Sequence, residues 1–484
     1  MNTRTTPVTL GLVPISKFVF SHEDALRYKA MTEARLRELG IDFVNIDGIT
    51  DDGMLYRNAD LPKVIDYLRE KKVDALFCPH CNFGTEDVAA QLGKEMRLPY
   101  LLWGPRDEMP LPDGTRLRDS ACGVFATSYI LSLLKVPFTY IPNCRLDHPI
   151  FERNLRAFLQ VAATVKSMRR MKIGQIGQRV DFFWTVMVNE AELLQQFGIE
   201  LWQIYPQDVM ARMRAIMAAP TAELRETMRV MRAAADCTAL DEEQMKAVGA
   251  LKLVMSELAD SENLSAIALQ CFPDIEKEFR IYPCYANSWV TLEGTPVICE
   301  TDIHGAIASA MLQSATQHQG QPFFADLTIR HPEQENAILL WHCGAFCHQL
   351  AENAATRKVG EHFIMPGDFA GVCHWRLRGG DVTVARFTKG ENGYCLGFGE
   401  GRATNGPATV GTYLWLEVPD WSAWERKIIR GPYIHHVAGI HGQLSPVLYE
   451  SCRYISGLAP DPIGQTTEVL ENYWWDAKAV SVQG

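Results

Sequence analysis

The chain has 484 residues, too many for one ordinary hydrophobic core, so roughly two to four domains are expected. Hydrophobic residues make up 47% and charged residues 22%, the balance of a globular protein with a water-facing surface. The net charge of −11 argues against nucleic acid or an anionic membrane as partner, because both attract basic surfaces.

The polar start "MNTRTT" passes straight into the strand-like "VTLGLVPI", without the apolar core and cleavage site of a signal peptide. "HEDALRYKAMTEARLRELG" follows at helical spacing, with Gly40 as its C-cap. "IDFVNID" reads as a strand, "LPKVIDYLREKK" as a helix and "VDALFCP" as a strand. "TEDVAAQLGKEM" is a helix opened by Thr85 with acids in its first turn, and "LPYLLWG" is another strand. This alternation predicts a Rossmann-like parallel-sheet domain over residues 1–147. Ligands of such sheets sit beyond the carboxyl ends of strands, which here carry "PISKF", "PHCNFGTE" and "GPRDE". The CxxC in "CPHC" (Cys78 to Cys81) ends a strand and has no second ligand pair nearby in sequence. It is therefore not read as a redox or zinc motif.

A second α/β domain is expected over residues 148–313. The basic cluster "KSMRRMK" is read as a solvated helix end, followed by the strand "MKIGQIGQ", the helix "NEAELLQQFG" and the strand "IELWQIY". A long helical region runs from Asp208 to about Ala259, and "ENLSAIALQCF" and "GTPVICETD" follow. From residue 314 to 484 the pieces "PFFADLTIRH", "NAILLWHC", "VTVARFT", "YCLGFGEG", "PATVGTYLWLEV" and "GPYIHHVAGIHG" are strand-like and split by Gly-rich turns. They predict a β-rich, barrel-like or sandwich domain closed by a helix in "PVLYESCRYISGLA". No apolar run approaches the roughly eighteen residues that span a bilayer. The 13 cysteines form no framework and fit reduced thiols in a cytoplasmic setting.

The most informative stretch is "TPVICETDIHGAIASAML". An apolar run ends in Glu300, Asp302 and His304 at every second position, which on a strand would put them on one face. Two carboxylates that close repel unless a cation or shared proton intervenes. Oxygen ligands with one histidine suit Mn²⁺ or Mg²⁺. "WHCGAFCHQ" adds His342, and "GPYIHHVAGIHG" adds His435 and His436, only one of which can face a common pocket.

Several long motifs in one order carry a family resemblance: "NFGTE", "PYLLWGPRDEMPLPDGTRLRDSACGVFATS", "VPFTYI", "LQCFP", "GTPVICETDIHGA", "PFFADLT", "LLWHCGAF" and "GPYIHHVAGIHG". Across most of its length the chain resembles the L-fucose isomerase and L-arabinose isomerase superfamily, most closely the shorter fucose-isomerase-like members. The resemblance implies two Rossmann-like domains followed by a β-barrel-like domain. It implies Mn²⁺ held by acids and a late histidine in an interdomain cleft, and aldose–ketose isomerisation. It also implies trimers or hexamers with sites shared between subunits.

On this resemblance Asp302 matches the metal aspartate, and His436, or else His435, the late histidine. The family's other metal acid is sought about two dozen residues before Asp302, near Glu276 and Glu278, with Glu300 as the substitute. Isomerisation takes a proton from C2 and returns one to C1, work for Glu300 or Asp302 beside a cation. Lys17, Asn82, Trp103 and His342 are expected to contact sugar hydroxyls or faces. Two other readings compete: another sugar carbanion reaction on the same scaffold, such as epimerisation or aldol cleavage, and a non-catalytic sugar-binding protein.

Overall fold

A computed structural model describes residues 7–271, 273–363, 365 and 369–476. Phe272 of "LQCFP" and the tail "MNTRTT" lie outside these. The chain forms two compact units. One takes Pro7–Lys166, Tyr449–Tyr454 and the residues from Thr467 on; the other takes Ser167–Leu448 and Ile455–Thr466.

The first unit holds five parallel strands: β1 (Leu10–Leu12), β2 (Phe43–Val44), β3 (Ala75–Pro79), β4 (Tyr100–Pro105) and β5 (Thr139–Cys144), in the order β2-β1-β3-β4-β5. Alternation along each strand feeds two cores. Leu76, Cys78 and Leu102 face the helices bearing Val64, Leu68, Val88, Leu92 and Leu131. Phe77, Leu101 and Trp103 face Phe151, Leu155 and Phe158. Those last three lie on helix Pro149–Arg169, so the first unit runs past the boundary expected at 147: its sheet needs that helix to cover its second face.

The second unit contains two sheets. Four parallel strands, β6 (Lys172–Ile176), β7 (Glu200–Ile204), β8 (Ala266–Leu269) and β9 (Val297–Ile298), run in the order β7-β6-β8-β9. The long helical region expected after Asp208 is three helices, Pro206–Ala218, Ala222–Ala234 and Glu242–Ser261. Nine further strands follow: β10 (Phe323–Arg330), β11 (Ala337–His342), β12 (Lys358–Glu361), β13 (Ala370–Arg376), β14 (Asp381–Gly390), β15 (Gly393–Thr404), β16 (Thr412–Glu417), β17 (His436–His441) and β18 (Leu458–Pro462). Their order is β12-β13-β16-β11-β10-β17-β14-β15-β18, and β15 also pairs with β16. Strands β12, β13 and β18 were not foreseen, and the helix Ser445–Cys452 is followed by β18 and helix Thr467–Trp475 instead of closing the fold.

Helix Ile303–Ala315 is buried along its whole length and packs on β8, β14 and β17. One continuous core therefore runs from Ile267 and Leu269 of the parallel sheet to Val384, Leu414 and Val437 of the larger one. This shared core is why the sheets expected in 148–313 and 314–484 fall in one compact unit. All 13 cysteines are free thiols, Cys78 and Cys81 among the buried ones.

Candidate functional site

The apolar run before Glu300 is a strand for only two residues, Val297–Ile298. Cys299–Thr301 form one 3₁₀ turn with Glu300 at φ 62° and Thr301 at φ 54°. Both residues occupy the left-handed region, unusual for side chains of their kind, and such strain gathers at functional sites. Glu300 and Asp302 therefore do not share a strand face, as their spacing suggested. Asp302 instead caps helix Ile303–Ala315, its Oδ1 accepting from the Gly305 N–H at 2.9 Å. Aspartate favours this position because its carboxylate satisfies a free N–H of the first turn and the helix dipole.

The turn is nevertheless built around one histidine. In the antiparallel pair β10–β17, Asp326 lies directly opposite His436. His436 is 1% exposed. Its Nδ1 donates to Asp302 Oδ2 at 2.8 Å, because an ionised carboxylate can only accept. Its Nε2 faces Glu300 Oε2 at 3.2 Å and Asp326 Oδ1 at 3.3 Å. Gly305 makes room for this: a Cβ there would lie 2.5 Å from the Phe324 ring and 3.1 Å from the Asp302 carboxylate. Phe324 in turn packs on both His436 and His342, with ring centroids 4.8 and 5.6 Å away.

Asp302 has no lone pair to spare. Oδ1 accepts from Gly305 N and from Arg386 Nη2 at 3.1 Å; Oδ2 accepts from Arg386 Nη1 and His436 Nδ1. These four bonds fill a carboxylate's capacity. Burial would raise its pKa, but Arg386 and His436 hold it well below the usual carboxylate range. The metal-ligand and base roles expected for Asp302 therefore have no free oxygen to use.

The orphaned atoms lie on the other side of the ring. His436 Nε2, Asp326 Oδ1 and His342 Nε2 are buried without a hydrogen-bond partner among the described residues. A bare Nε2 lone pair facing two carboxylate oxygens is repulsive unless the ring gains a second proton or a cation sits among them. In the cation-free chain the proton wins. Burial disfavours charge on His436, but the Asp302 bond and the carboxylates of Glu300 and Asp326 outweigh it, lifting the pKa to about 9. Burial pushes the Asp326 carboxyl up, against the pull of His342 and His436. Oxygens from Glu300 and Asp326 with one imidazole nitrogen match a hard divalent cation, and the Asp302 bond fixes the tautomer such a ligand needs. These donor types suit a hard divalent cation, a class that includes Mn²⁺.

His435 stands at the rim, its side chain 47% exposed and its Nε2 4.0 Å from Asp326 Oδ1. Asp326, His435 and His436 offer ligand atoms within 4.8 Å of one another. His342 Nδ1 lies 3.0 Å from the Cys343 N–H and 3.2 Å from the Cys343 thiol; burial disfavours charge on the ring, but Cys343, Asp326 and Glu300 raise its pKa well above the usual imidazole range, so Nε2 carries a proton beside Asp326.

Other expected residues lie elsewhere. Glu278 pairs with Arg214 on an exposed surface, and Glu276 lies on the same short helix with its Oε2 buried and without a hydrogen-bond partner among the described residues. Neither is among the described ion-pair partners of His436, which are Glu300, Asp302 and Asp326. In the other unit Trp103 is 0% exposed, packed on Phe77 and Phe151 as a core residue and not as a sugar platform. Asn82 spends its amide on the loop that follows β1, accepting from Lys17 N and Gly84 N and donating to Lys17 and Ser21 carbonyls. Lys17 is half-buried, paired with Glu86 at 3.0 Å over the Phe83 ring.

Asp326 and Arg386 were missed. Asp326 is the lone acid inside "PFFADLT", and a charge interrupting an apolar strand was the available signal.

Residues 11–169 match the family model "Fucose/sulfoquinovose isomerase, N-terminal domain". Sulfoquinovose isomerases of Priestia aryabhattai and Priestia megaterium are each 26% identical over 402 residues, spanning 82% of this chain and 87% of theirs. That of Alkalicoccus urumqiensis is 26% identical over 78% of this chain and 83% of its own. A solute-binding protein of an Actinobacillus succinogenes transporter, with bound D-allose, aligns at 12% identity over 65% of this chain and 93% of its own. Its TM-score of 0.17 gives that likeness no weight. The N-terminal match and these relatives agree with the motifs read from the sequence: residues 11–169 resemble the N-terminal domain of fucose and sulfoquinovose isomerases, and the relatives extend that likeness over most of the chain.

Proposed function

We propose that the chain is a divalent-metal-dependent aldose–ketose isomerase, with Mn²⁺ as the fitting cation and a sulfonated hexose of the sulfoquinovose type as the first substrate to test. The observation that carries this is the group Asp326, His435 and His436, whose ligand atoms lie within 4.8 Å of one another, with Glu300 Oε2 3.2 Å from His436 Nε2 and with buried Asp326 Oδ1 and His436 Nε2 lacking a hydrogen-bond partner among the described residues. The names of the relatives supply the reaction class and the sugar.

In this reading Glu300, Asp326 and His436 hold the cation, with His435 at the rim. The cation, when bound, supplies an electrophile for neighbouring sugar oxygens. The chain's own part is to move a proton between C1 and C2 through an enediolate. Glu300 suits this best, because its side chain is 15% exposed on a strained turn and, unlike Asp302, is not locked in a guanidinium fork. His342 Nε2–H donates to a sugar oxygen. Asp302 orients His436. The ring of pairings β11-β10-β17-β14-β15-β16 and back to β11 supports the barrel-like description of the C-terminal domain. A homo-oligomer with shared sites is proposed too, supported by Phe125, Tyr129 and Leu133 exposed along one helix face. The described helices include none long and apolar enough to cross a membrane, and a cytoplasmic location fits that.

The test is to strip the purified protein with chelator, add back Mn²⁺, and follow a panel of aldoses and ketoses including sulfoquinovose by NMR. Metal-restored conversion of an aldose to its ketose supports the reading. Binding without conversion, or epimer or cleavage products, overturns it.

A further inference from the structure

We infer that Arg386 is a positioning residue of the cation site: its fork keeps Asp302 off the cation and fixed as the orienter of His436. The inference rests on the cation reading above and concerns a residue that reading does not use.

Arg386 lies on β14 between Ala385 and Phe387 and is only 3% exposed. A guanidinium so deep is costly unless paired, and its hydrogen-bond partner is Asp302, gripped through both terminal nitrogens. The grip uses one lone pair on each carboxylate oxygen and leaves one on each for Gly305 N and His436 Nδ1. The carboxylate plane is thereby fixed, and with it the imidazole that hangs from Oδ2. That ring sets the direction of Nε2 toward Glu300 and Asp326.

Charge agrees with geometry. Glu300, Asp302 and Asp326 bring three negative charges around one imidazole, and the guanidinium cancels one. The two that remain complement a divalent cation. Without Arg386, Asp302 is freed to turn toward the cation, and His436 loses its fixed acceptor.

The test is Mn²⁺ affinity of chelator-stripped protein, read by the electron paramagnetic resonance signal of free Mn²⁺ and by calorimetry. Arg386→Gln should raise Kd for Mn²⁺ by about 10- to 100-fold, the usual cost of losing a partner that orients a ligand. The Mn²⁺ concentration for half-maximal turnover should rise in step, while KM for the sugar at saturating Mn²⁺ stays put. Arg386→Lys keeps the charge without the fork and should still weaken Mn²⁺ by about tenfold. If the glutamine variant does not fold, the lysine variant decides. Wild-type affinity in a folded Arg386→Gln, or in Arg386→Lys, overturns this assignment alone. Absence of Mn²⁺ binding by the wild-type chain overturns it together with the cation reading.

Discussion

Asp302 and Asp326 lie on opposite sides of one imidazole, and neutralising each should do different things to the fold. Asp302 is 0% exposed and is bridged to Arg386, itself 3% exposed. Asp302→Asn keeps the shape but removes the counter-charge, leaving a buried guanidinium uncompensated. Breaking one side of such a pair costs about 3–5 kcal/mol. At about 2 °C per kcal/mol, the low end for larger units, the midpoint of the unit built on Ser167–Leu448 should fall by about 6–10 °C. Asp326 has an unpartnered oxygen, and burial already pushes its carboxyl toward the neutral form. Asp326→Asn should therefore shift the metal-free midpoint by no more than about 1 kcal/mol in either direction, the ordinary worth of one hydrogen bond. Both variants should lose Mn²⁺ affinity, one through its orienter and one through a ligand, so stability separates the roles. The assay is calorimetric melting of chelator-treated protein, with Asp302→Asn/Arg386→Gln closing the cycle and recovering part of the loss. A metal-free Asp302→Asn melting within about 1 °C of wild type, or Asp326→Asn falling as far as Asp302→Asn, would refute the division between orienter and ligand.

Two further outcomes follow from the geometry. Gly305→Ala should destabilise by about 1–3 kcal/mol, the cost of overpacking, since the added carbon meets the Phe324 ring at 2.5 Å; denaturant melts check it, and a neutral result would mean that Phe324 moves freely. His80 is fully buried, and burial outweighs its bond to the Phe83 carbonyl, lowering its pKa to about 4. Because the fold holds it neutral, its contribution is intact above the unfolded value near 6.5 and is lost as pH falls toward 4. The loss is at most about 3 kcal/mol. His80→Asn, which can keep a donor toward the Phe83 carbonyl, should flatten the acid slope between pH 6.5 and 4.5; identical slopes in urea melts would exclude His80 as a source of acid lability.

The alternation of strands and helices in the first unit was legible because its central strands β1, β3 and β4 are buried on both faces and read as apolar runs. The cluster Glu300, Asp302 and His436 was legible as a set, from an acid pair and a histidine pair in apolar surroundings. Its geometry was not. Spacing suggested a shared strand face, but the capping preference of Asp302 won locally, and the chain turned through a strained 3₁₀ step. Asp326 and Arg386 matter only through register with β17 and through a bond spanning 84 residues, which no local pattern encodes. Trp103 was misjudged because a tryptophan near a strand's carboxyl end looks the same in sequence whether it lines a cleft or fills a core.

His436 reaches back across 134 residues to Asp302, and its strand is among the last the second unit acquires. During synthesis no cage for a cation can exist until that strand has emerged and threaded between β10 and β14. Completion of the proposed cation site is thus a late event on the folding route. A chain cut short before residue 436 would carry Asp302 and Asp326 without the imidazole that lies between them.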